Sequence, residues 1–297
     1  MNKIIVLMAT YNGEKYIQDQ ILSIFNQEQC HITLLISDDG STDNTLKIIN
    51  KLKSKFKRIK LLSRKNKRVG FSDNFYSLFI KCNLANYDYV AISDQDDIFC
   101  RNKLSTQIKY LKKYNYAASS SSVRCFGSSD SLLSQSSNIT KYDFLFEGAG
   151  QGCTFIIDRK NFIEFQHFLK LNIDLVKNFY FHDWLIYLFI RSSNSKWLFI
   201  KQPLVYYRIH KNNQVGNKYT LGGISLRLKK LFGGWYFDQI ITASKIATLI
   251  DPSIPNIENI GFMRFSIIVL FYGRRKISDR IFSFLGLLTS YFRLYIK

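Results

Sequence analysis

Short apolar runs alternate with segments of helical periodicity through the first 111 residues of the chain. Apolar runs of this length are typical of strands that are covered on both faces. Their alternation with helices predicts an α/β fold, in which a mostly parallel central sheet is flanked by helices. The expected strands are 4–8, 32–36, 60–62 and 87–92, and the expected helices are 14–26, 44–52, 71–82 and 103–111.

The pattern changes in the second half of the chain. Residues 117–137 are rich in serine and predict a loop or an irregular crossover. From about residue 221, basic and aromatic residues interleave, so we place a domain boundary near Thr220, with an α/β domain over 1–220 and a helical extension over 221–297. The remaining expected strands are 149–157, 197–200 and 205–207, and the remaining expected helices are 162–171 and 184–190.

The chain is strongly basic, with 42 Lys and Arg residues, 22 Asp and Glu residues and a formal net charge of +20. Such an excess predicts an anionic partner. Eleven basic residues and no acid lie between Lys47 and Arg68, and the extension mixes further basic residues with Phe, Leu, Ile and Tyr. This composition predicts an interfacial segment on an anionic membrane surface. The alternative is that the extension packs on the α/β domain as ordinary core helices.

Other partners and compartments are less compatible with the sequence. No helix-turn-helix, RNP-like or zinc-finger pattern is present, so nucleic acid is not an expected partner. Five scattered cysteines without a CxxC pair favour a reducing compartment over a disulfide framework or a zinc site. The apolar run 4–9 is too short for a signal-peptide core, and no stretch reaches the ~20 apolar residues that span a bilayer. We expect a cytoplasmic protein, peripheral on the inner face of the cell membrane.

Polar clusters follow three of the predicted strands, at Thr10-Tyr11-Asn12, 37–40 and 94–97. Ligands of open α/β sheets bind at these carboxyl ends of the strands. Adjacent carboxylates raise each other's pKa unless a cation lies between them, and Mg²⁺ or Mn²⁺ prefers oxygen ligands. The clusters therefore favour a divalent metal site. For any single cluster, the alternative is a solvated acidic turn that caps a helix.

Six ordered segments resemble family 2 glycosyltransferases with the GT-A fold: ATYNGEKYI, ISDDGSTDNT, ISDQDDIF, GAGQGCTFIIDR, HDWLIYLF and YYRIHKNNQVG. The last three resemble the rhamnosyltransferase-like branch, which acts on bacterial surface polysaccharides. The resemblance covers about residues 3–216, and it implies that 1–220 is a GT-A catalytic domain. It also implies an inverting, metal-dependent transfer of one sugar from a nucleotide-diphosphate donor to a growing, lipid-linked saccharide. Rhamnose is the first candidate, and glucose, galactose or an amino sugar stay open.

The resemblance also implies which residues bind the donor. Thr10, Tyr11 and Glu14 would line the base and ribose, and either Asp38 or Asp39 would hydrogen-bond the base. The Asp94-Gln95-Asp96 segment has the DxD spacing, which places Asp94 at the nucleotide sugar. Asp96 and Asp97 would hold Mg²⁺ or Mn²⁺ on the donor diphosphate.

Asp183 matches the catalytic base of the family. An inverting transfer needs such a base to deprotonate the acceptor hydroxyl, whereas the structural alternative is a helix N-cap. His182 either shares a proton with Asp183 or contacts substrate, and Trp184 belongs to the core or to the acceptor wall. Arg208 or His210 would neutralise the leaving diphosphate. A catalytically inactive assembly subunit is the remaining alternative, and the intact acidic set argues against it.

Overall fold

A computed structural model of the chain describes residues 1–62, 70–127, 130–134, 138–210, 229 and 231–295. Nine strands within these residues form one sheet, in the order β3-β2-β1-β4-β8-β6-β9-β5, with β7 paired to β6. The strands are β1 (Asn2–Thr10), β2 (Cys30–Asp38), β3 (Ile59–Leu61), β4 (Tyr89–Ser93), β5 (Ile98–Phe99), β6 (Ala118–Gly127), β7 (Ser131–Leu133), β8 (Ile156–Asp158) and β9 (Trp197–Ile209).

The sheet is mixed. The half that contains β3, β2, β1 and β4 is parallel, and β1 pairs with β2 along its whole length. β8 runs antiparallel between β4 and β6, β9 is parallel to β6, and β5 is antiparallel to β9. The predicted class, an α/β fold with a central sheet flanked by helices, is confirmed, and the sheet that was expected to be mostly parallel is parallel in the half from β3 to β4 and mixed beyond it.

Helices cover both faces of the sheet because β1 presents apolar side chains alternately to each face. The α-helices of the described chain are α1 (Ile17–Phe25), α2 (Thr45–Lys55), α3 (Phe71–Lys81), α4 (Lys103–Tyr114), α5 (Arg159–Leu171), α6 (Ile173–Val176), α7 (His182–Ser192), α8 (Trp235–Ile250), α9 (Phe262–Ile267) and α10 (Ile277–Tyr295). Ile4 and Val6 contribute to one core with α1, α2 and α4, whereas Ile5 and Leu7 contribute to the other with α3, α5, α7 and α8.

The loop predicted over 117–137 is wrong where β6 crosses the centre of the sheet. The side chains of Ser119 and Ser120 are completely buried there. Burial of these hydroxyls is tolerated because each has a hydrogen-bond partner. Ser119 Oγ accepts from Gln107 Nε2 at 3.2 Å, and Ser120 Oγ accepts from Trp197 Nε1 at 3.1 Å.

Two other strand predictions differ from the structure in extent. Of the predicted strand 149–157, only the last residues lie in β8, and Gly152–Thr154 form a single turn of 3₁₀ helix. The predicted strands 197–200 and 205–207 are two parts of β9, joined across an irregular register opposite Ser122. Pro203 lies at this irregularity, which is consistent with its lack of a backbone N–H.

The inner side of the C-terminal extension packs on the α/β domain. Apolar residues of α8, α9 and α10 belong to the same core as α7. The buried carboxylate of Asp143 accepts hydrogen bonds from Arg275 at 3.0 Å, Arg191 at 2.9 Å and the Tyr187 hydroxyl at 2.7 Å. The alternative expectation, that the extension packs on the α/β domain as ordinary core helices, therefore holds for the inner faces of these helices. The predicted boundary near Thr220 lies outside the described residues, and the division into domains stays a prediction.

Candidate active site

The carboxyl ends of β1, β2 and β4 lie side by side at one edge of the sheet. In the parallel register, Thr10 lies opposite Asp38, and Met8 lies opposite Ser93. The three polar clusters that follow these strands therefore begin at the same edge, as the strand pattern predicted.

Gln95 ties the first cluster to the third. Its Oε1 atom accepts hydrogen bonds from Thr10 Oγ1 at 2.6 Å and from the backbone N–H of Tyr11 at 2.9 Å. Its Nε2 atom donates to the Tyr11 carbonyl at 3.0 Å. The variable residue of the DxD motif thus fixes the loop that carries Thr10 and Tyr11.

The neighbouring carboxylates of Asp38 and Asp39 have different environments. Asp38 accepts from the backbone N–H groups of Gly40 at 3.0 Å and Ser41 at 2.8 Å, so it stabilises its own turn. Gly40 has a φ of +83°, which favours glycine in that turn. Asp39 is buried, and its carboxylate accepts from the backbone N–H of Gly70 at 3.0 Å. Which of the two would contact a base stays open.

Glu14 joins the loop after β1 to the start of α2. Its carboxylate accepts from the backbone N–H and the side-chain amide of Asn44, each at 2.9 Å. In return, the backbone N–H of Glu14 donates to Asp43 Oδ2 at 3.0 Å. An acid at a helix N-terminus satisfies free N–H groups, so Glu14 has a structural partner at the edge where it was expected.

Asp94, Asp97 and Cys153 converge beside the end of β4. One potential ligand atom from each residue lies within 4.8 Å of the other two. Burial, together with the neighbouring charge of Asp96, raises the pKa of Asp97 to about 8. Burial is also the main reason why the pKa of Asp94 lies well above its ordinary value, and the charges of Asp97 and Asp96 add to the effect.

These residues fit a divalent cation. Asp97 is 1% exposed, and its Oδ2 atom has no hydrogen-bond partner among the residues that the structure describes. A cation beside this oxygen would provide a partner and would favour the ionised form of the crowded carboxylates. The sequence predicted Asp96 and Asp97 as the metal residues, and the structure adds Asp94 and Cys153 next to Asp97.

Asp96 faces the end of β9. Its Oδ2 atom lies 2.8 Å from Nε2 of His210, and its carbonyl accepts from Arg208 Nε at 2.9 Å. The backbone N–H of Arg208 donates to Asp97 Oδ1 at 3.0 Å. The ring of Tyr16 stacks on His210 at 5.1 Å and lies 4.5 Å from the Arg208 guanidinium. The two basic residues predicted for the diphosphate are therefore adjacent to the acidic cluster.

Asp183, the predicted base, lies in the first turn of α7 and is partly exposed. Its Oδ1 atom accepts from the backbone N–H of Trp184 at 2.7 Å. Desolvation raises the pKa of Asp183 to about 6, although hydrogen bonds from the backbone oppose the rise. The charge of Asp183 is also one cause of the raised pKa of Asp94. The predicted base and the acidic cluster therefore lie within electrostatic reach of each other.

His182 lies in an aromatic environment under α3. Its ring stacks on Phe75 with centroids 3.8 Å apart and meets Phe71 edge-on at 5.0 Å. Burial lowers the pKa of His182 to about 3, so the ring is neutral at pH 7. Neither ring nitrogen has a hydrogen-bond partner in the described part of the chain, so no hydrogen bond there supports proton sharing with Asp183.

Close packing around α7 fixes Asp183 and Trp184. The Trp184 indole is buried and donates to the Phe144 carbonyl at 2.8 Å, which places this residue in the core. A Cβ atom on Gly148 would lie 3.2 Å from Trp184 Cα, and one on Gly152 would lie 3.0 Å from Asp183 Cβ. A Cβ atom at either glycine would press on the start of α7, which would have to shift by a few tenths of an ångström to make room.

Sequence reasoning missed four residues of the site: Gln95, Tyr16, Cys153 and Lys103. Gln95 and Cys153 lie inside recognised motifs, but their spacing gave no sign of their partners. Lys103 is completely buried, and its Nζ atom lies 4.1 Å from the Phe99 ring centroid. Desolvation lowers the pKa of Lys103 to about 7. A Lys at the start of a helix predicts exposure, so no sequence signal identified this burial.

Comparisons with known proteins agree with the fold. The model of the family described as "Glycosyl transferase family 2" matches residues 5–178. The dTDP-rhamnosyl transferase RfbG of Shigella flexneri is 36% identical over 292 residues, which are 96% of this chain and 100% of RfbG. An uncharacterized glycosyltransferase of Haemophilus influenzae is 36% identical over 112 residues, covering 37% of this chain and 43% of its own.

Solved structures share the architecture at low sequence identity. The crystal structure of S. aureus TarS 1–349 in complex with UDP-GlcNAc matches with a TM-score of 0.56 and 14% identity, covering 95% of this chain and 81% of that chain. This likeness concerns the fold alone.

The mixed sheet, its acidic strand ends and its two helical layers define an α/β protein of the GT-A type. The chain belongs to glycosyl transferase family 2 and is a glycosyltransferase. The resemblance drawn from the six sequence segments, including the likeness to rhamnosyltransferases, is thereby confirmed.

Proposed function

We propose that this glycosyltransferase moves one rhamnose residue from dTDP-rhamnose to a lipid-linked saccharide, with inversion at the anomeric carbon. The choice of dTDP-rhamnose as the donor is supported by the 36% identity to a dTDP-rhamnosyl transferase, which extends across 96% of this chain and all of the relative. A different hexose donor is the alternative. The acceptor is a growing surface polysaccharide such as O-antigen or capsule, and the enzyme works peripherally on the cytoplasmic face of the membrane.

The donor binds at the sheet edge where the three clusters meet. Thr10 and Tyr11, held by Gln95, lie along the base and ribose, together with Glu14. Asp38 or Asp39 hydrogen-bonds the base from the end of β2. Fixed hydrogen bonds within these loops support the assignment, because a preorganised site loses less entropy when it binds a nucleotide.

Asp94, Asp96 and Asp97 would hold a divalent metal, Mg²⁺ or Mn²⁺. When bound, it would neutralise the charge that develops on the leaving diphosphate. Nε2 of His210 lies 2.8 Å from Asp96 Oδ2, so His210 would hold the Asp96 carboxylate in place and lie beside the diphosphate. The Arg208 guanidinium, held over the Tyr16 ring, adds positive charge beside the diphosphate.

Asp183 is the general base. Its carboxylate takes the proton of the acceptor hydroxyl while the hydroxyl oxygen forms a bond to the anomeric carbon. The bond from that carbon to the diphosphate oxygen breaks on the opposite side, and the nucleoside diphosphate leaves with the electron pair. A carboxylate whose pKa is raised to about 6 is ionised at pH 7 and is a stronger base than an ordinary aspartate. Trp184 and the neutral ring of His182 position it.

A donor screen tests the proposal. Thermal unfolding is measured with dTDP-rhamnose, UDP-glucose, UDP-galactose and UDP-GlcNAc, each with Mn²⁺ or with EDTA. A bound donor at about 100 times its Kd stabilises the fold by ~2.7 kcal/mol, and we expect this effect for dTDP-rhamnose with Mn²⁺. The variant Asp96→Asn should lose the donor-induced stabilisation that depends on Mn²⁺. The variant Asp174→Asn, which changes an exposed aspartate on α6, should keep this stabilisation.

Product analysis completes the test. NMR of the product should give an anomeric configuration opposite to that of the donor. If only a UDP-hexose stabilises the fold, rhamnose is wrong as the donor sugar. If the donor stabilises the fold equally with Mn²⁺ and with EDTA, the proposed metal dependence is wrong. If no nucleotide sugar stabilises the chain, the donor site itself is wrong.

A further inference from the structure

Two consecutive helical stretches near the C-terminus expose large apolar side chains at regular spacing. Met263, Ile267 and Phe271 lie at i, i+4 and i+8 along α9 and the π-helical turn that continues it. A second stripe with the same spacing, 277, 281 and 285, lies along α10. Met263 is 78% exposed, Ile277 69% and Phe271 64%. Residues four apart share one helix face, so each helix presents a continuous apolar stripe to solvent.

These stripes belong to helices that are fixed by their other faces. Phe265, Val269 and Leu287 are buried in the core that also contains α7. The turn between the helices is held by Thr140, whose hydroxyl oxygen lies 2.6 Å from the carbonyl oxygens of both Tyr272 and Gly273 and shares its one proton between them. Because the inner faces are occupied, the outer apolar stripes cannot turn inward. Of the twenty large apolar side chains exposed in the described chain, nine lie between 262 and 285.

The charge around the stripes is positive. Residues 264–280 contain five basic side chains and one acidic one, Asp279. Arg275 is paired with Asp143 in the interior, whereas Arg264 and Lys276 are exposed beside the apolar stripes. Apolar side chains flanked by exposed basic groups suit an anionic bilayer, where the former enter the acyl boundary and the latter meet headgroups. A second copy of this chain suits the surface less, since each copy carries a net charge of +20.

We propose that the two stripes on α9 and α10 together form a docking surface for an anionic lipid bilayer. The helices lie in the plane of the headgroups and do not cross the membrane. In the described chain, no helix combines the length and apolar character that a membrane span requires. The insertion of exposed Met263, Ile267 and Phe271 removes apolar surface from water, which is the main favourable term.

The docking surface is directly connected to the predicted acceptor side of the site. Arg275, in the turn that precedes α10, donates to the Gly148 carbonyl at 2.8 Å. Gly148 in turn abuts Trp184, the neighbour of Asp183. On the proposed function, with a lipid-linked acceptor, docking would hold the membrane close to the catalytic base. This functional meaning rests on that proposal, but the docking itself does not.

Vesicle flotation of the full chain tests the surface. Vesicles of phosphatidylcholine alone are compared with vesicles of equal parts phosphatidylcholine and phosphatidylglycerol, at low and high salt. The triple variant Met263→Ser, Ile267→Ser, Phe271→Ser is compared with a matched control that replaces three exposed leucines elsewhere, Leu132, Leu171 and Leu249, by Ser. Because all six side chains are exposed, both variants should fold, which thermal unfolding checks.

We expect the wild type and the leucine control to float with anionic vesicles, less so at high salt. The triple variant should partition at least about a hundredfold more weakly. Flotation of the triple variant at the wild-type level would overturn the proposal, as would equal flotation of the wild type with both vesicle types. If neither protein floats, and the wild type is a dimer whereas the triple variant is a monomer, the surface serves self-association instead and the proposal is wrong.

The test is independent of sugar transfer. Asp183→Asn should float like the wild type, because the carboxylate lies outside the docking surface. If the wild type floats but transfers no sugar from any donor in the screen, the proposed function fails and the docking surface stands. If transfer to a soluble acceptor proceeds and flotation is absent, the docking surface fails alone.

Discussion

The pH dependence of transfer is the sharpest consequence of the desolvated Asp183. A general base acts only when ionised, so activity should be lost as pH falls through its pKa. With a pKa of about 6, Asp183 is ~90% ionised at pH 7 and ~10% ionised at pH 5. We therefore expect kcat, which reports the complex with donor and Mn²⁺ bound, to rise about tenfold from pH 5 to pH 7. An aspartate with an ordinary pKa would give a nearly flat profile over this range.

The variant Asp183→Asn separates base catalysis from other effects of pH. It should lower kcat by about 10²–10⁴-fold and abolish the rise between pH 5 and 7, because the amide cannot accept the proton. Donor binding, measured by thermal stabilisation with Mn²⁺, should be unchanged. Asp174→Asn, at an exposed site, should keep the wild-type profile. A flat wild-type profile, or a variant that keeps both its rate and its pH dependence, would refute the assignment.

Two further substitutions test the packing around the site. Gly152→Ala places a Cβ atom 3.0 Å from Asp183 Cβ, so Asp183 must shift by a few tenths of an ångström. Since a misplacement of ~1 Å costs about a hundredfold, this smaller shift should lower kcat by about two- to fivefold. The donor-induced stabilisation should persist, and wild-type kcat would contradict the packing argument. Arg275→Met removes one of the two cations beside the buried Asp143 carboxylate and leaves Arg191 in place, so urea unfolding should record a loss of about 1.5–3 kcal/mol. Arg264→Met, at an exposed position, serves as its control, and an equal effect of both changes would disprove the buried pair.

The first half of the sheet could be predicted because its strands depend on local apolar runs. β1, β2 and β4 are covered on both faces, so their buried stretches are almost entirely apolar, with Thr33 of β2 as a buried polar exception. β6 could not be predicted in this way. Its buried serines have a loop-like composition, and the side chains that satisfy Ser119 and Ser120 come from other elements, Gln107 from α4 and Trp197 from β9. Only the tertiary fold supplies the donors that make such a strand tolerable.

The candidate site, like the sheet, could be predicted only in part. The acids at the strand ends follow directly from where the apolar runs stop. The convergence of Cys153 with Asp94 and Asp97 depends on a 3₁₀ turn that the sequence indicated as a strand, so spacing could not reveal it. The extension illustrates a different limit. The mixture of basic and apolar residues in the extension was compatible with helices packed in the core and with an exposed apolar surface. The structure contains both, on opposite faces of the same helices.

A single stretch of chain, residues 140–153, connects these features. It bonds to the turn between α9 and α10 through Thr140, abuts Asp183 at Gly152, and ends at Cys153 beside the acidic cluster. Asp143, between these points, is held by Arg275 of the extension. A change that loosens the extension therefore acts on the predicted base through covalent neighbours and close packing. For this reason Arg275→Met should lower the rate of transfer to a soluble acceptor as well as stability, an effect that lost membrane docking alone could not produce.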